Sequence, residues 1–292
     1  MLANSLKRSG WTVGRIVAGL AMVAVGMAVT SDAWSDVVRI ARKDEEASHI
    51  LLVPVVFAWL FWVRRRRLRH CKPGASFLGP LLVLAGWMLY SIGDLRLIHY
   101  FWYGGAVMLA VGCLVTVCGK DLLIKFIPAF LSLAFLVPVP GRLRQRIAVP
   151  MENACAVATQ KTMDVLGAPV DRSGNVITIN GVPVGIYEAC NGLRMVFTLV
   201  LVSYGFAFGT PLRNYLRVLI LVASPISAIL CNVLRLIPTV WVFGHASSNR
   251  AAAFHDVAGW VMLIVSFLLL MGLIRLLRWS LLPVSRYTLA YD

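Results

Sequence analysis

The sequence predicts an all-α integral membrane protein, a polytopic bundle of about eight transmembrane helices with an extracytoplasmic interfacial helix and a small hairpin before the helix that opens at Cys190. Three observations carry that prediction. The 292 residues are 59% hydrophobic and only 14% charged, with a mean hydropathy of +0.79, which excludes a soluble globular fold. Several apolar runs are long enough to cross a hydrocarbon core of roughly 30 Å. The 28 Lys and Arg residues, which set a formal charge of +15, stand in short clusters between those runs and form no continuous stripe. They read as topology signals and contacts for membrane lipids, and no nucleic-acid partner is expected.

Lys7, Arg8 and Arg15 flank the start of the first run, Trp11 to Thr30. No small-x-small cleavage site follows it, so it is expected to remain as an uncleaved helix. The second run, Ile50 to Val63, is short and ends in Arg64-Arg65-Arg66-Arg67-Leu68-Arg69, the strongest positive-inside signal of the chain. Ala75 to Gly93 and Tyr100 to Gly119 follow. The fifth run, Leu122 to Pro140, contains Lys125 and Pro128. Cys190 to Gly209, Asn214 to Pro238 and His255 to Leu277 complete the set.

Placing the arginine run in the cytoplasm brings the N-terminus, Lys120, Arg213, Arg217, Arg275, Arg278 and Arg286 to the inner side. Asp44, Glu45 and Glu46, the stretch from Gly141 to Ala189 and the turn from Thr239 to Phe254 then lie outside. The long outer stretch carries Arg142, Arg144, Arg146 and Lys161, against the charge rule. Its apolar residues recur at helical spacing from Arg142 to Leu166, and a helix lying in the interface tolerates such charges. Gly167 and Pro169 end that pattern. Val176 to Val184 then alternates around Asn180-Gly181, the signature of a hairpin. With no linker, low-complexity tract or internal repeat evident, residues 1–292 read as a single transmembrane domain. The six cysteines, Cys71, Cys113, Cys118, Cys155, Cys190 and Cys231, lack metal-ligand spacing, and there is no His-Glu-x-x-His. Neither a metal nor another cofactor is expected.

An ionisable side chain inside a span costs about 3 kcal/mol or more, which makes Arg194, Arg235 and His255 candidates for function. On this topology Cys190 and His255 begin inward-running helices and Arg235 lies near the end of an outward-running one. All three meet at the outer boundary. A thiolate is favoured by a helix N-terminus and by a nearby guanidinium, so Cys190 is a candidate nucleophile. One guanidinium can hold the oxyanion of an attacked carbonyl while the imidazole protonates the leaving amine, the outline of acyl transfer through a thioester. Arg194, four residues after Cys190, shares its helix face. Each residue also has a plainer reading. Cys190 can pack or pair with Cys155; Arg194 and Arg235 can snorkel or pair with Glu188 and Asp256; His255-Asp256 can be an ordinary helix start. His49 and His245 lie on the same expected side as His255.

Five ordered segments resemble the exosortase/archaeosortase family of membrane cysteine transpeptidases. Ala47 to Pro54 is similar to its Ser-His-x-x-Leu-x-Pro element, with the basic cluster following. Gly174-Asn175-Val176-Ile177 resembles its pre-catalytic strand. Glu188-Ala189-Cys190-Asn191-Gly192-Leu193-Arg194 resembles the nucleophile motif Glu-Ala-Cys-Ser-Gly-Leu-Arg, with Asn191 in place of the usual Ser. Asn232-Val233-Leu234-Arg235 and Phe254 to Trp260 match the two remaining segments. The resemblance implies Cys190 as nucleophile, Arg235 as the guanidinium and His255 as the third catalytic residue; Arg194, Asn232, His49, Glu188 and Asp256 are expected to support them. It implies exported protein substrates with a C-terminal sorting signal, commonly Pro-Glu-Pro, a hydrophobic helix and a basic tail. Their new carboxyl end would pass to an unidentified cell-surface acceptor, in a system that typically accompanies exopolysaccharide production. The setting implied is the bacterial cytoplasmic (inner) membrane, with the active site on the extracytoplasmic face. Two rivals remain at this point. One is a protease that uses the same residues with water as acceptor; the other is a transporter or polysaccharide-assembly subunit.

Overall fold

A computed structural model describes residues 10–168, 170–185, 192–246 and 248–279, although the side chains of several residues within the last helix, including His255 and Asp256, lie outside the description. Of the described residues 82% are helical, as an all-α membrane protein should be. It forms two compact units. The first takes the chain up to Pro140 together with Tyr204–Pro211, and the second takes Gly141–Ser203 and the chain from Leu212 to Ser285.

In the first unit α1 (Val13–Val29) turns by 81° into α2 (Ser31–Lys43). Thr30 sits at the corner, buried, donating through Oγ1 to Gly26 O at 2.9 Å and accepting from Trp34 Nε1 at 3.0 Å. The bend is therefore held by the hydroxyl of one residue. A 3₁₀ segment, Glu45–Leu52, runs into α3 (Val53–Val63), whose first turn tolerates Pro54 because the missing N–H has no partner to lose there. Phe57 and Phe61 of α3 meet Phe130 and Phe126 with ring centroids 5.8 and 4.4 Å apart.

Helices α4 (Leu78–Leu95) and α5 (His99–Cys118) run antiparallel with glycine on both sides of the seam. Gly79, Gly86 and Gly93 recur every seven residues on α4, and Gly105 and Gly112 do so on α5. A Cβ at Gly86 would lie 2.6 Å from the backbone nitrogen of Leu109, and one at Gly105 only 2.4 Å from that of Tyr90. The backbones touch, which gives helix association inside a membrane the close packing that apolar burial cannot supply there.

The expected span Leu122 to Pro140 is broken. It forms α6 (Lys120–Lys125), α7 (Ile127–Ser132) and a 3₁₀ turn, Leu133–Leu136. Pro128, Pro138 and Pro140 account for the interruptions, since proline neither donates to the helix nor lets the residue before it stay helical with ease.

The second unit opens with α8 (Gly141–Val165), a helix where the sequence led us to expect one, which buries Ala148, Met151, Glu152, Cys155, Ala156, Thr159 and Met163 along one face. Beyond it lies a three-stranded antiparallel sheet of β1 (Asp171–Ser173), β2 (Val176–Ile179) and β3 (Val182–Gly185). Asn180 and Gly181 have φ of +51° and +76°, as a two-residue turn of that twist demands. The expected hairpin is present and gains β1, whose polar sequence Asp171-Arg172-Ser173 gives no alternation to read. Three long helices follow: α9 (Gly192–Gly209), α10 (Asn214–His245) and α11 (Ser248–Trp279).

Among the described residues five helices are long and apolar enough to cross a membrane, or up to seven if each bent pair is one span. The expected runs fall on helical segments within the described residues, the fifth interrupted and ending before Val137. The lower count comes from the two bends and from α11, where the apolar stretch is Val257–Gly272. Two boundaries need correction. Helix α10 continues seven residues past Pro238, and α11 starts at Ser248, so the expected turn from Thr239 to Phe254 is largely helix. Proline removes one hydrogen bond from a long helix without ending it when the flanking residues remain apolar and packed.

Candidate active site

Helix α10 buries a single stripe, Leu216, Ile220, Ser224, Ala228, Cys231, Asn232, Arg235, Leu236, Thr239 and Val240. The spacing of three and four marks one helix face, and Arg235 lies on it. Leu230 and Leu234, on other faces, are exposed. Arg235 is therefore 2% exposed inside the protein, not extended toward headgroups, and the snorkelling alternative is set aside.

A buried guanidinium survives only with hydrogen-bond acceptors around it. Asn232, one turn earlier and itself buried, accepts from Arg235 Nη2 through Oδ1 at 3.1 Å. Its Nδ2 points the other way, to the Cys155 sulfur of α8 at 3.6 Å. The alternative pairing of Cys155 with Cys190 falls on a residue outside the described ones. The Arg235 backbone carbonyl accepts from Thr239 Oγ1 at 2.8 Å. These contacts fix the guanidinium from its own helix and, through Cys155, from α8.

Helix α11 closes the other side. A Cβ placed on Gly259 would stand 3.2 Å from Arg235 Nη1, so the absence of a side chain there makes the seat for the guanidinium. His255 precedes Gly259 by four residues and shares its helix face. The reading of His255-Asp256 as a helix start is overturned, because α11 begins seven residues before His255. One level away, Met195 and Leu199 of α9 pack with Ala228 and Cys231 of α10 and with Met262 and Val265 of α11. Three helices thus converge beside Arg235. Helix α9 opens at Gly192, with Leu193 buried and Arg194 half-buried in its first turn. Cys190, Glu188 and Asn191 lie outside the described residues.

The sheet caps the far end of α10. Ile179 fits against Gly244, where a Cβ would meet its Cγ2 at 2.7 Å, and Asn180 Nδ2 donates to Gly244 O at 3.3 Å. His245 is occupied there: it stacks on Trp241 with centroids 4.3 Å apart and lies 3.2 Å from Asn180 Nδ2. It is ten residues, about 15 Å along the axis, from Arg235. His49 is buried in the first unit, with Nδ1 3.1 Å from Glu46 O. An apolar cavity of about 400 Å³ lies between α8, α10 and α11, lined by Met163, Leu166, Ile237, Pro238, Trp241 and Phe254 among others. It begins two residues past Arg235 and touches the residue before His255.

Of the other thiols, Cys71 lies between spans and is pushed up to about 11, mainly by burial, which keeps it protonated at neutral pH. Among the described residues no cluster of His, Cys, Asp or Glu has the arrangement of a metal site.

Fold and site together define a polytopic membrane protein with a cation seated among three packed helices. The family model for Transmembrane exosortase (Exosortase_EpsH) matches residues 34–272, and the chain belongs to that family of membrane cysteine transpeptidases. No curated protein and no solved structure matches it.

Proposed function

We propose that the protein cleaves C-terminal sorting signals of the Pro-Glu-Pro type from exported proteins through a thioacyl intermediate and passes the new carboxyl end to a cell-surface acceptor. One observation carries this reading: in a chain of the exosortase family, the buried Arg235 guanidinium lies against Gly259, one turn from His255. In the proposed reaction the Cys190 thiolate attacks the scissile carbonyl, a C–S bond forms, and the carbonyl electrons move onto oxygen. Arg235 stabilises that oxyanion. The C–N bond then breaks, and His255 protonates the departing amine. The acceptor nucleophile attacks the thioester and releases Cys190.

Asn232 supports the reaction by holding Arg235 Nη2. Arg194, Glu188, Asp256 and His49 are the remaining proposed helpers. The apolar cavity beside Pro238 and Phe254 offers the anchored substrate a surface next to the bond to be cut. The site is assigned to the extracytoplasmic face of the bacterial inner membrane.

The test is co-expression of Cys190→Ala and Cys190→Ser variants with a tagged sorting-signal substrate. Full-length substrate should accumulate in both; normal processing in both would sink the proposal. Mass spectrometry of the released product separates transfer from hydrolysis. An added moiety on the new C-terminus supports transfer, and a free carboxylate assigns the reaction to water.

A further inference from the structure

The arginine run after α3 has its partners close by. Arg64 is buried and donates to Phe208 O at 2.9 Å, Arg67 reaches Lys125 O at 3.5 Å, and Arg65 lies 4.2 Å over the Trp62 ring. Cys71 and Lys72 then dock on the α5–α6 turn, where Lys72 N–H donates to Asp121 Oδ2 at 3.1 Å. This brings residues 72–81 against residues 119–121 and encloses an open cavity of about 650 Å³.

Its rim is basic and its wall apolar. Lys72 and Lys120 line it, both exposed, and Arg15 stands beside it with Nη1 on Pro73 O at 2.6 Å and on Gly10 O at 3.3 Å. Phe77 is 84% exposed and Leu81 49%, both at the start of α4, a candidate span. Asp121 also lines the cavity, with one carboxylate oxygen taken by the Lys72 amide. Backbone meets backbone at Gly119, whose φ is +90° and whose would-be Cβ lies 2.8 Å from Gly74 O.

We propose that this cavity binds an anionic phospholipid of the surrounding leaflet, its phosphate between Lys72 and Lys120 and an acyl chain along Phe77 and Leu81. Charge complementarity argues for the headgroup, because the leaflet facing a positive-inside run is the one where basic pockets at span ends meet anionic lipid. The exposed apolar wall argues for a lipid over a soluble anion. A free phosphate has no use for Phe77, whereas a chain descending beside α4 covers it. This site belongs to the first unit and does not depend on the proposed reaction.

The experiment is native mass spectrometry of the full chain released from detergent, with added dioleoyl phosphatidylglycerol or dioleoyl phosphatidylcholine. Phosphatidylglycerol should be retained in preference, and Lys72→Gln and Lys120→Gln should each weaken its retention about fivefold. Leu81→Asn should weaken it as well. Arg66→Gln/Arg69→Gln, on exposed positions of the same run, should retain it as the parent does, and excess inorganic phosphate should not displace it. Equal retention of both lipids, an unaffected Lys72→Gln/Lys120→Gln double variant, or the same loss in the Arg66/Arg69 variant would each overturn the site. Displacement by inorganic phosphate would reduce it to an anion site and overturn the lipid assignment. Melting temperatures in detergent without lipid check that each variant is folded, and Lys72→Arg/Lys120→Arg should keep the lipid.

Discussion

In the proposed reaction Arg235 holds the oxyanion, and its buried guanidinium is stable only while its surroundings keep it in place. Its planar fork matches Asn232 Oδ1 on one side and the bare backbone of Gly259 on the other, and an ammonium on a flexible stem does not reproduce that. Arg235→Lys should therefore lower substrate processing by about 100-fold, the scale of losing one oxyanion donor, while the variant keeps its fold by thermal melting in detergent. Gly259→Ala is a finer probe. Its new methyl would press on Nη1 from 3.2 Å, and displacing the guanidinium by a fraction of an ångström should slow processing about tenfold or more. A Gly259→Ala enzyme working at the parental rate would show that the seat does not set the rate. Sequence alone marked Arg235 and Asn232, since both fall in a recognisable segment. It did not mark Cys155 as their neighbour, because a cysteine at helical spacing on α8 looks like any other apolar filler until α8 is laid on α10.

Among the elements, the α4–α5 pair has the most stringent packing. Glycines 79, 86 and 93 against 105 and 112 let two backbones meet at van der Waals distance. Gly86→Leu should force the pair apart, costing about 3 kcal/mol or more by overpacking, and should appear as a lower melting temperature and poor recovery from detergent. Gly14→Leu is the control, with nothing within 4 Å of its Cβ position. The period of seven was visible in the sequence once looked for, but glycine spacing does not say which helix answers it. Helix boundaries were less legible. Pro238 looked like an end and became an interior residue, while the run from Leu122 to Pro140 looked like one span and is broken at Phe126, ahead of Pro128. The difference lies in tertiary support: Leu236, Thr239 and Val240 around Pro238 are buried and keep the helix continuous.

At the scale of the whole molecule, orientation decides whether the site can meet exported substrates. The positive-inside reading assigns Arg66 to the cytoplasm and the sheet residue Asp171 to the outside. In variants carrying a single added cysteine, Asp171→Cys should react with a membrane-impermeant maleimide in intact spheroplasts, and Arg66→Cys only after lysis. The reverse pattern would place the Arg235 site on the cytoplasmic face and remove the proposed function. The membrane class, the apolar helical runs and the hairpin turn were legible in the sequence alone, because each depends on local spacing of apolar residues or on the φ demands of Asn180-Gly181. So was family membership, which rests on ordered motifs. Only the tertiary structure decided that Arg235 faces inward, that Gly259 makes room for it, that Cys155 stands behind Asn232, and that Lys72 and Lys120 share one cavity. Those facts depend on which helix faces meet across long separations in the chain, and no periodicity within a single helix contains that information.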